Sequence, residues 1–252
     1  MDMRLDKYLA DMNMGSRSDL KKQIRRGSVT VNGETVKDPA VQVVPSDCVT
    51  YAGRMVSYTV FEYYMMNKPA GVLTATEDRH QRTVLDLMGK EVRRDLFPVG
   101  RLDKDTEGLL LITNDGQLAH RLLSPGKHVA KQYFAEIDLP VTEEDIRRFA
   151  EGVVIGRGPD SGRDIVTLPA ELEYCGKTDT GSSVLITIYE GKFHEIKKMF
   201  EAVGKQVLFL KRLSMGPLRL DPDLAPGAFR PLTEAEIMDI GASSVPQIPK
   251  NV

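Results

Sequence analysis

No tryptophan occurs in the 252 residues, and there are only two cysteines. No apolar run approaches the length of a membrane span. Cys48 and Cys175 show no C-x-x-C spacing, so a disulfide framework is excluded as a scaffold and a zinc site is not expected. P-loop and G-x-G-x-x-G patterns are missing, as are clusters at metal-ligand spacing, so no cofactor and no metal is expected. The N-terminus, MDMRLDKYLAD, is charged and amphipathic without a signal-peptide core, and the expected compartment is the cytoplasm. Repeats and low-complexity tracts are absent. So is a positive excess: the net charge is −2. A nucleic-acid partner therefore requires the cations to be clustered.

They are clustered, in a chain that is otherwise ordinary for a globular protein at 41% hydrophobic and 28% charged residues. Arg17, Lys21, Lys22, Arg25 and Arg26 share one short segment. Lys192, Lys197, Lys198, Lys205, Lys211 and Arg212 fall in another.

Leu5, Tyr8, Leu9 and Met12 recur at helical spacing and give one apolar face, ended by Gly15. Ser16 is a good N-cap for a second helix over 17–26, with Asp19 at the capping-box position. That helix buries Leu20 and Ile24 and carries the first group of cations. VTVNGETV, residues 29–36, is a hairpin pattern around Asn32-Gly33. Further strands are expected over 41–44 and 48–51, then a linker over 54–60. A charge run is most often just a solvated face, but these cations coincide with a helix N-terminus, which attracts phosphate.

The stretch around which the rest is organised is GRLDKDTEGLLLITNDG, residues 100–116. A charged loop feeds the apolar run 109–112, a buried strand by pattern, closed by the turn formers Asn114 to Gly116. Such a loop holds polar side chains at the rim of a core. Asp103, Asp105 and Glu107 lie close together there. Spacing does not choose among them, and a loop Asp ordinarily caps a turn or meets solvent.

Elsewhere the patterns predict strands over 61–66, 131–137, 184–189 and 207–213. They predict helices over 84–88 and 117–123, from Thr142 to Ala150 with Asp145 at the box position, over 194–203, and after Thr233. Asn67 to Ala75 contains Lys68-Pro69-x-Gly71, a turn by chemistry. GRGPDSGRD, 156–164, reads as a loop, and 241–252 as a disordered tail. His194 has no His or Cys partner at ligand spacing and reads as structural.

Two resemblances follow. RLDKYLADMNMGSRSDLKKQIRRGSVTVNGETV resembles the S4 RNA-binding module from end to end. G-R-L-D-x-x-T-x-G-L-L-L-x-T-N-D-G resembles the catalytic motif of the RsuA-type pseudouridine synthases. K-x-Y-x-A at 131–135 and GKFHEIKKM at 191–199 resemble that family's later motifs, and SMGPLRL its closing segment. Together they cover the chain from about Arg4 to Ile240. They imply an α+β protein: an S4 module over 1–58, then a catalytic domain over 61–240 built on a mainly antiparallel mixed sheet flanked by helices and loops.

The resemblance implies isomerisation of uridine to pseudouridine in ribosomal RNA. Asp103 is then the catalytic aspartate, Tyr133 meets the target base, and Lys197 pairs with Asp103, a pairing that favours an ionised carboxylate. Arg101 holds the RNA and fills the space left by the extruded base. Leu210 lies under the uracil, with Arg212 and Lys198 as further substrate contacts. Arg4, Ser16, Arg17, Lys21, Lys22, Arg25 and Arg26 form the RNA-binding surface of the S4 module. Glu195 stands where the family usually has Gln. A carboxylate suits the chemistry because it can attack an electron-poor carbon and then leave; attack at C1′, attack at C6 and removal of the 2′ proton all remain open. SPGKHVAKQY and RHQRTVLDL look like the small-subunit branch of the family, which points to 16S rRNA at the site usually numbered 516, with a 23S uridine as runner-up. The partner is then 16S rRNA in an assembling small-subunit particle, with the protein a monomer away from membranes. Two other classes compete: an S4-type assembly factor without catalysis, and a carboxylate-metal nuclease built on Asp103, Asp105 and Glu107.

Overall fold

The computed structural model describes residues 2–89, 92–158 and 162–241. The chain divides into two compact units. Among the described residues, the first holds those up to Glu62 together with Met88–Phe97, and the second Tyr63–Leu87 with residues 98–241.

In the first unit, helices Leu5–Asp11 and Arg17–Arg25 bring Leu5, Tyr8, Leu9, Leu20 and Ile24 over Val29, Val43, Val49 and Val56 as one core. The Ser16 hydroxyl accepts the Asp19 N–H at 3.2 Å, capping the second helix as predicted. The Asn32-Gly33 turn is left-handed at both residues and joins Val29–Val31 to Glu34–Thr35. The strand expected over 41–44 is only Gln42–Val43, and it pairs with Met3–Arg4 rather than with the hairpin.

The expected linker over 54–60 opens instead with a strand, Arg54–Val56, paired with Val49–Tyr51. Arg54 and Met55 are both exposed, so no apolar alternation announces it. The Tyr8 hydroxyl donates to the Val56 carbonyl at 2.8 Å, and the Tyr8 and Tyr58 rings lie 4.9 Å apart. Arg93 returns to this unit from a later part of the chain. It is 4% exposed, its guanidinium lies 5.4 Å from the centre of the Tyr58 ring, and it donates to Thr59 O and to Asp95. A buried arginine needs such partners, and sequence spacing does not reveal them.

The second unit is built on a nine-stranded mixed sheet. Its main path runs Glu171–Lys177, Ser182–Ile188, Lys131–Ile137, Val207–Met215, Glu107–Thr113, Tyr63–Lys68, Phe229–Pro231. Along this path only Val207–Met215 and Glu107–Thr113 are parallel. Thr142 caps helix Glu143–Glu151 through a full capping box with Asp145, and Thr233 caps Glu234–Asp239 in the same way. Phe149 of the first of these helices packs on Phe200 of helix Glu195–Ala202, ring centres 4.9 Å apart, inside a core shared with Ile186 and Leu210.

The register aligns one row of residues across the sheet. Lys68 lies opposite Gly108, Gly108 opposite Arg212, and Arg212 opposite Tyr133. Gly108 has φ +100, and a Cβ there would stand 2.2 Å from the Arg212 carbonyl oxygen. No other residue permits so close an approach of the parallel strands.

Two strand expectations need correction. GRGPDSGRD is not wholly a loop, because Val154–Arg157 and Asp164–Val166 pair as a hairpin; residues 159–161 lie outside the described residues. Glu171–Lys177 forms the edge of the sheet, with no sequence expectation to match it. Tyr174 is half exposed, and an edge strand is polar enough to read as loop. Of the tail expected over 241–252, all but Gly241 lies outside the described residues.

Candidate active site

The Gly100–Thr106 loop is held from beneath by the segment after the Tyr63–Lys68 strand. Lys68 is fully buried, and its ammonium donates to the carbonyls of Asp103 at 3.0 Å, Lys104 at 3.2 Å, Thr106 at 2.8 Å and Pro69 at 3.1 Å. Burial pulls its pKa down to about 8, so the ammonium form carries the loop at neutral pH. Gly71 N–H donates to Lys104 O at 2.7 Å, and Thr74 hydroxyl to Leu102 O at 2.8 Å. The turn expected within 67–75 is thus tied to this loop by specific hydrogen bonds.

With Leu102 buried and Arg101 exposed, Arg101 and Asp103 both line a cleft of about 700 Å³. Tyr133, Lys131, His194 and Arg212 line it too. Leu210 joins Asp103 and Tyr133 in an adjoining recess of about 70 Å³. The structure thus gathers Arg101, Asp103, Tyr133, Lys197 and Leu210 within one region. Arg212 is nearly wholly buried, its Nε donating to Leu109 O at 2.7 Å, so it belongs to the floor. Lys198 lies outside that group, with its ammonium 5.0 Å from the centre of the Phe193 ring.

Lys197 serves two carboxylates. Its ammonium is 3.2 Å from Asp103 Oδ2 and 2.6 Å from Asp105 Oδ1. Burial works against its charge, but the hydrogen bonds to Asp105 and Asp103 prevail and raise its pKa. Burial likewise opposes the Asp105 charge, and the Lys197 bond outweighs it, lowering the Asp105 pKa. The sharing with Asp105 departs from the simple Lys197–Asp103 pair expected from the motif.

His194 is not remote from the chemistry, as a structural reading would have it. Its Nε2 is 3.5 Å from Asp103 Oδ1. The residue has a left-handed backbone, φ 53, immediately before helix Glu195–Ala202. A non-glycine residue held in that region costs energy and is typical of functional sites.

Glu195 occupies the position of the family's usual Gln and is 4% exposed. It accepts the Lys192 N–H at 2.7 Å. Burial raises its pKa to about 7; the Lys192 N–H opposes this and Glu190 adds to it. The sign follows: a carboxyl raised in the fold stabilises below its unfolded pKa, and that stability is lost as pH climbs through about 7. Glu195→Gln should therefore match the wild type near pH 5 and exceed it at pH 8.5, by on the order of 1–3 kcal/mol at about 1.4 kcal/mol per pKa unit. Urea midpoints at the two pH values check this, and equal gaps at both would refute it.

In the first unit, three cations of the S4-like string gather around one acid. Asp6 is fully buried and takes Arg4 at 3.0 Å, Arg17 at 3.0 Å and Lys21 at 3.8 Å. Burial opposes its charge, and the Arg4 and Arg17 hydrogen bonds outweigh burial to lower its pKa. Lys22 pairs with Asp19 at 3.4 Å, and Arg25 and Arg26 are exposed. Asp6 was not singled out from sequence, since its partners lie up to fifteen positions on.

One unit thus holds a carboxylate in an open cleft of a mixed sheet, and the other carries a basic helix. The family model for RNA pseudouridylate synthase matches residues 62–202 and the S4 domain model residues 3–49, and the chain belongs to the RNA pseudouridylate synthase family. Among individual proteins it is 51% identical over 239 residues to the uncharacterized RNA pseudouridine synthase YtzG of Bacillus subtilis, covering 93% of this chain and 97% of that one. It is 40% identical over 240 residues to ribosomal small subunit pseudouridine synthase A of Salmonella typhimurium, covering 95% of this chain and 100% of that one. A solved pseudouridylate synthase structure aligns at TM-score 0.64 and 36% identity, covering 94% of this chain and 99% of that one.

Proposed function

We propose that the chain isomerises one uridine of 16S rRNA, the site usually numbered 516, with Asp103 as nucleophile. The observation that carries the chemistry is the placement of Asp103, on a pinned loop in an open cleft with Lys197 at 3.2 Å and Tyr133 lining the same space. Near full-length similarity to proteins named for the small ribosomal subunit supports the choice of RNA. In the reaction the N1–C1′ bond breaks, the uracil turns, and C5 bonds to C1′; C5 loses its proton and N1 gains one. A base inside folded RNA is out of reach, so the uridine is extruded into the cleft. Tyr133 offers an aromatic face and Leu210 an apolar seat. Arg101, exposed at the rim, fills the vacated stack.

The S4-like unit, taken to extend over 1–58, supplies phosphate contacts through Arg17, Lys21, Lys22, Arg25 and Arg26, with Arg4 and Ser16 beside them. These give affinity and orientation rather than sequence choice. The protein acts in the cytoplasm as a monomer on an assembling small-subunit particle.

The test is pseudouridine mapping of 16S and 23S rRNA from cells with and without the protein. One 16S uridine is expected to lose its modification and to regain it on complementation. Loss at a 23S position, or no loss, overturns the proposal.

A further inference from the structure

Phe193 is the anomaly of the cleft. It is 70% exposed, among the most exposed large apolar side chains of the described residues, yet it lines the space that Asp103 and Tyr133 open into. Burying a phenylalanine is favourable by kilocalories in an ordinary core, so an exposed one at a site calls for a partner. The ring stacks on His194, ring centres 3.8 Å apart at 18°, and His194 has a left-handed backbone just before a helix. The Lys198 ammonium stands 5.0 Å from the Phe193 ring centre. An exposed aromatic ring with a cation alongside matches what unpaired nucleic acid needs: a surface for a base and a charge for the adjoining phosphate.

We propose that Phe193 is a stacking platform for an unpaired base flanking the extruded uridine, with Lys198 moving from the ring onto the phosphate beside it. The proposal deepens the reading of the cleft as an RNA site and rests on it. Tyr133 is 7% exposed, which leaves Phe193 to take a neighbouring nucleotide rather than the reacting one. The platform thus makes Phe193 a positioning residue, acting on how the RNA is threaded past Asp103.

The absence of tryptophan from the chain provides the probe. F193W carries the protein's one indole, at the proposed platform, and keeps a planar ring. Its emission is expected to be quenched by single-stranded oligo(U) and to respond little to a blunt RNA duplex. F193L keeps the apolar bulk without the plane. It is expected to bind a 16S rRNA transcript about 5- to 150-fold more weakly than the wild type, the fold-change that a lost base–aromatic stack represents, with F193W near the wild type. Because the side chain is mostly exposed, neither change threatens the fold. No quenching by oligo(U), equal quenching by the duplex, or wild-type affinity in F193L would each overturn the platform. Wild-type turnover measured beside these keeps the two readings apart. Quenching with no uridine converted leaves the platform standing and removes the catalytic reading; conversion without quenching removes the platform alone.

Discussion

Asp103→Asn is expected to fold, to bind RNA as the wild type does, and to turn over at least about a thousandfold more slowly, the scale seen when a nucleophile is removed. Asn is isosteric, and the Asp103 side chain is partly exposed, so no buried hole is made. Lys197 keeps its shorter contact, 2.6 Å to Asp105, and is not left as an unpaired cation. Melting temperature should therefore hardly move. The same geometry defines the control. Asp105 is 72% exposed, where an ion pair is worth about 0–1 kcal/mol. Asp105→Asn should keep turnover within roughly fivefold, since about 1.4 kcal/mol corresponds to tenfold in rate. Single-turnover rates on a 16S rRNA transcript decide it. An inactive Asp105 variant beside an active Asp103 variant would sink the assignment.

Lys68→Met should damage both stability and activity. The methionine fills the same space, but four carbonyls lose their shared donor, three of them in the loop that carries Asp103. An acceptor left buried without a partner costs about 1–3 kcal/mol. With partial relaxation, the total is on the order of 3–5 kcal/mol, at the upper end for a point change. At roughly 2–4 °C per kcal/mol for a chain of this size, the melting temperature should drop by about 10 °C. Turnover should fall even well below that melting point, because the loop is no longer pinned. Lys68→Arg is not expected to rescue it, since a planar fork cannot converge on four acceptors as an ammonium does. Calorimetry with turnover at a temperature where both proteins are folded checks this. Full activity in a folded Lys68→Met protein would show that the loop stands without its pin.

Much of this was legible in advance where a pattern is local. The Lys131–Ile137 strand has the bounds its alternation predicts, and helix Glu143–Glu151 starts where its capping box predicts. Asp103 and Lys197 could be named because the motifs around them are long. What escaped depends on partners far along the chain. Lys68 belongs to a residue type that is almost always exposed, and its acceptors lie up to 38 residues on. His194 looked isolated because its neighbour in space, Asp103, lies 91 positions earlier in the chain. Met88–Phe97 carries no local sign that Arg93 belongs with Tyr58. Short exposed strands such as Arg54–Val56 are set by the strand they pair with rather than by their own composition.

The row Lys68, Gly108, Arg212, Tyr133 has a kinetic corollary. Each member comes from a different strand, and Gly108 must meet Arg212 across more than a hundred intervening residues. Closing such loops is the slow, entropically costly part of assembling a sheet. No hairpin or partial sheet contains the site, so catalytic competence emerges only when the central parallel pair zips. Recovery of activity during refolding should then trail the return of helical signal, and the nascent chain stays inert until Val207–Met215 has been made.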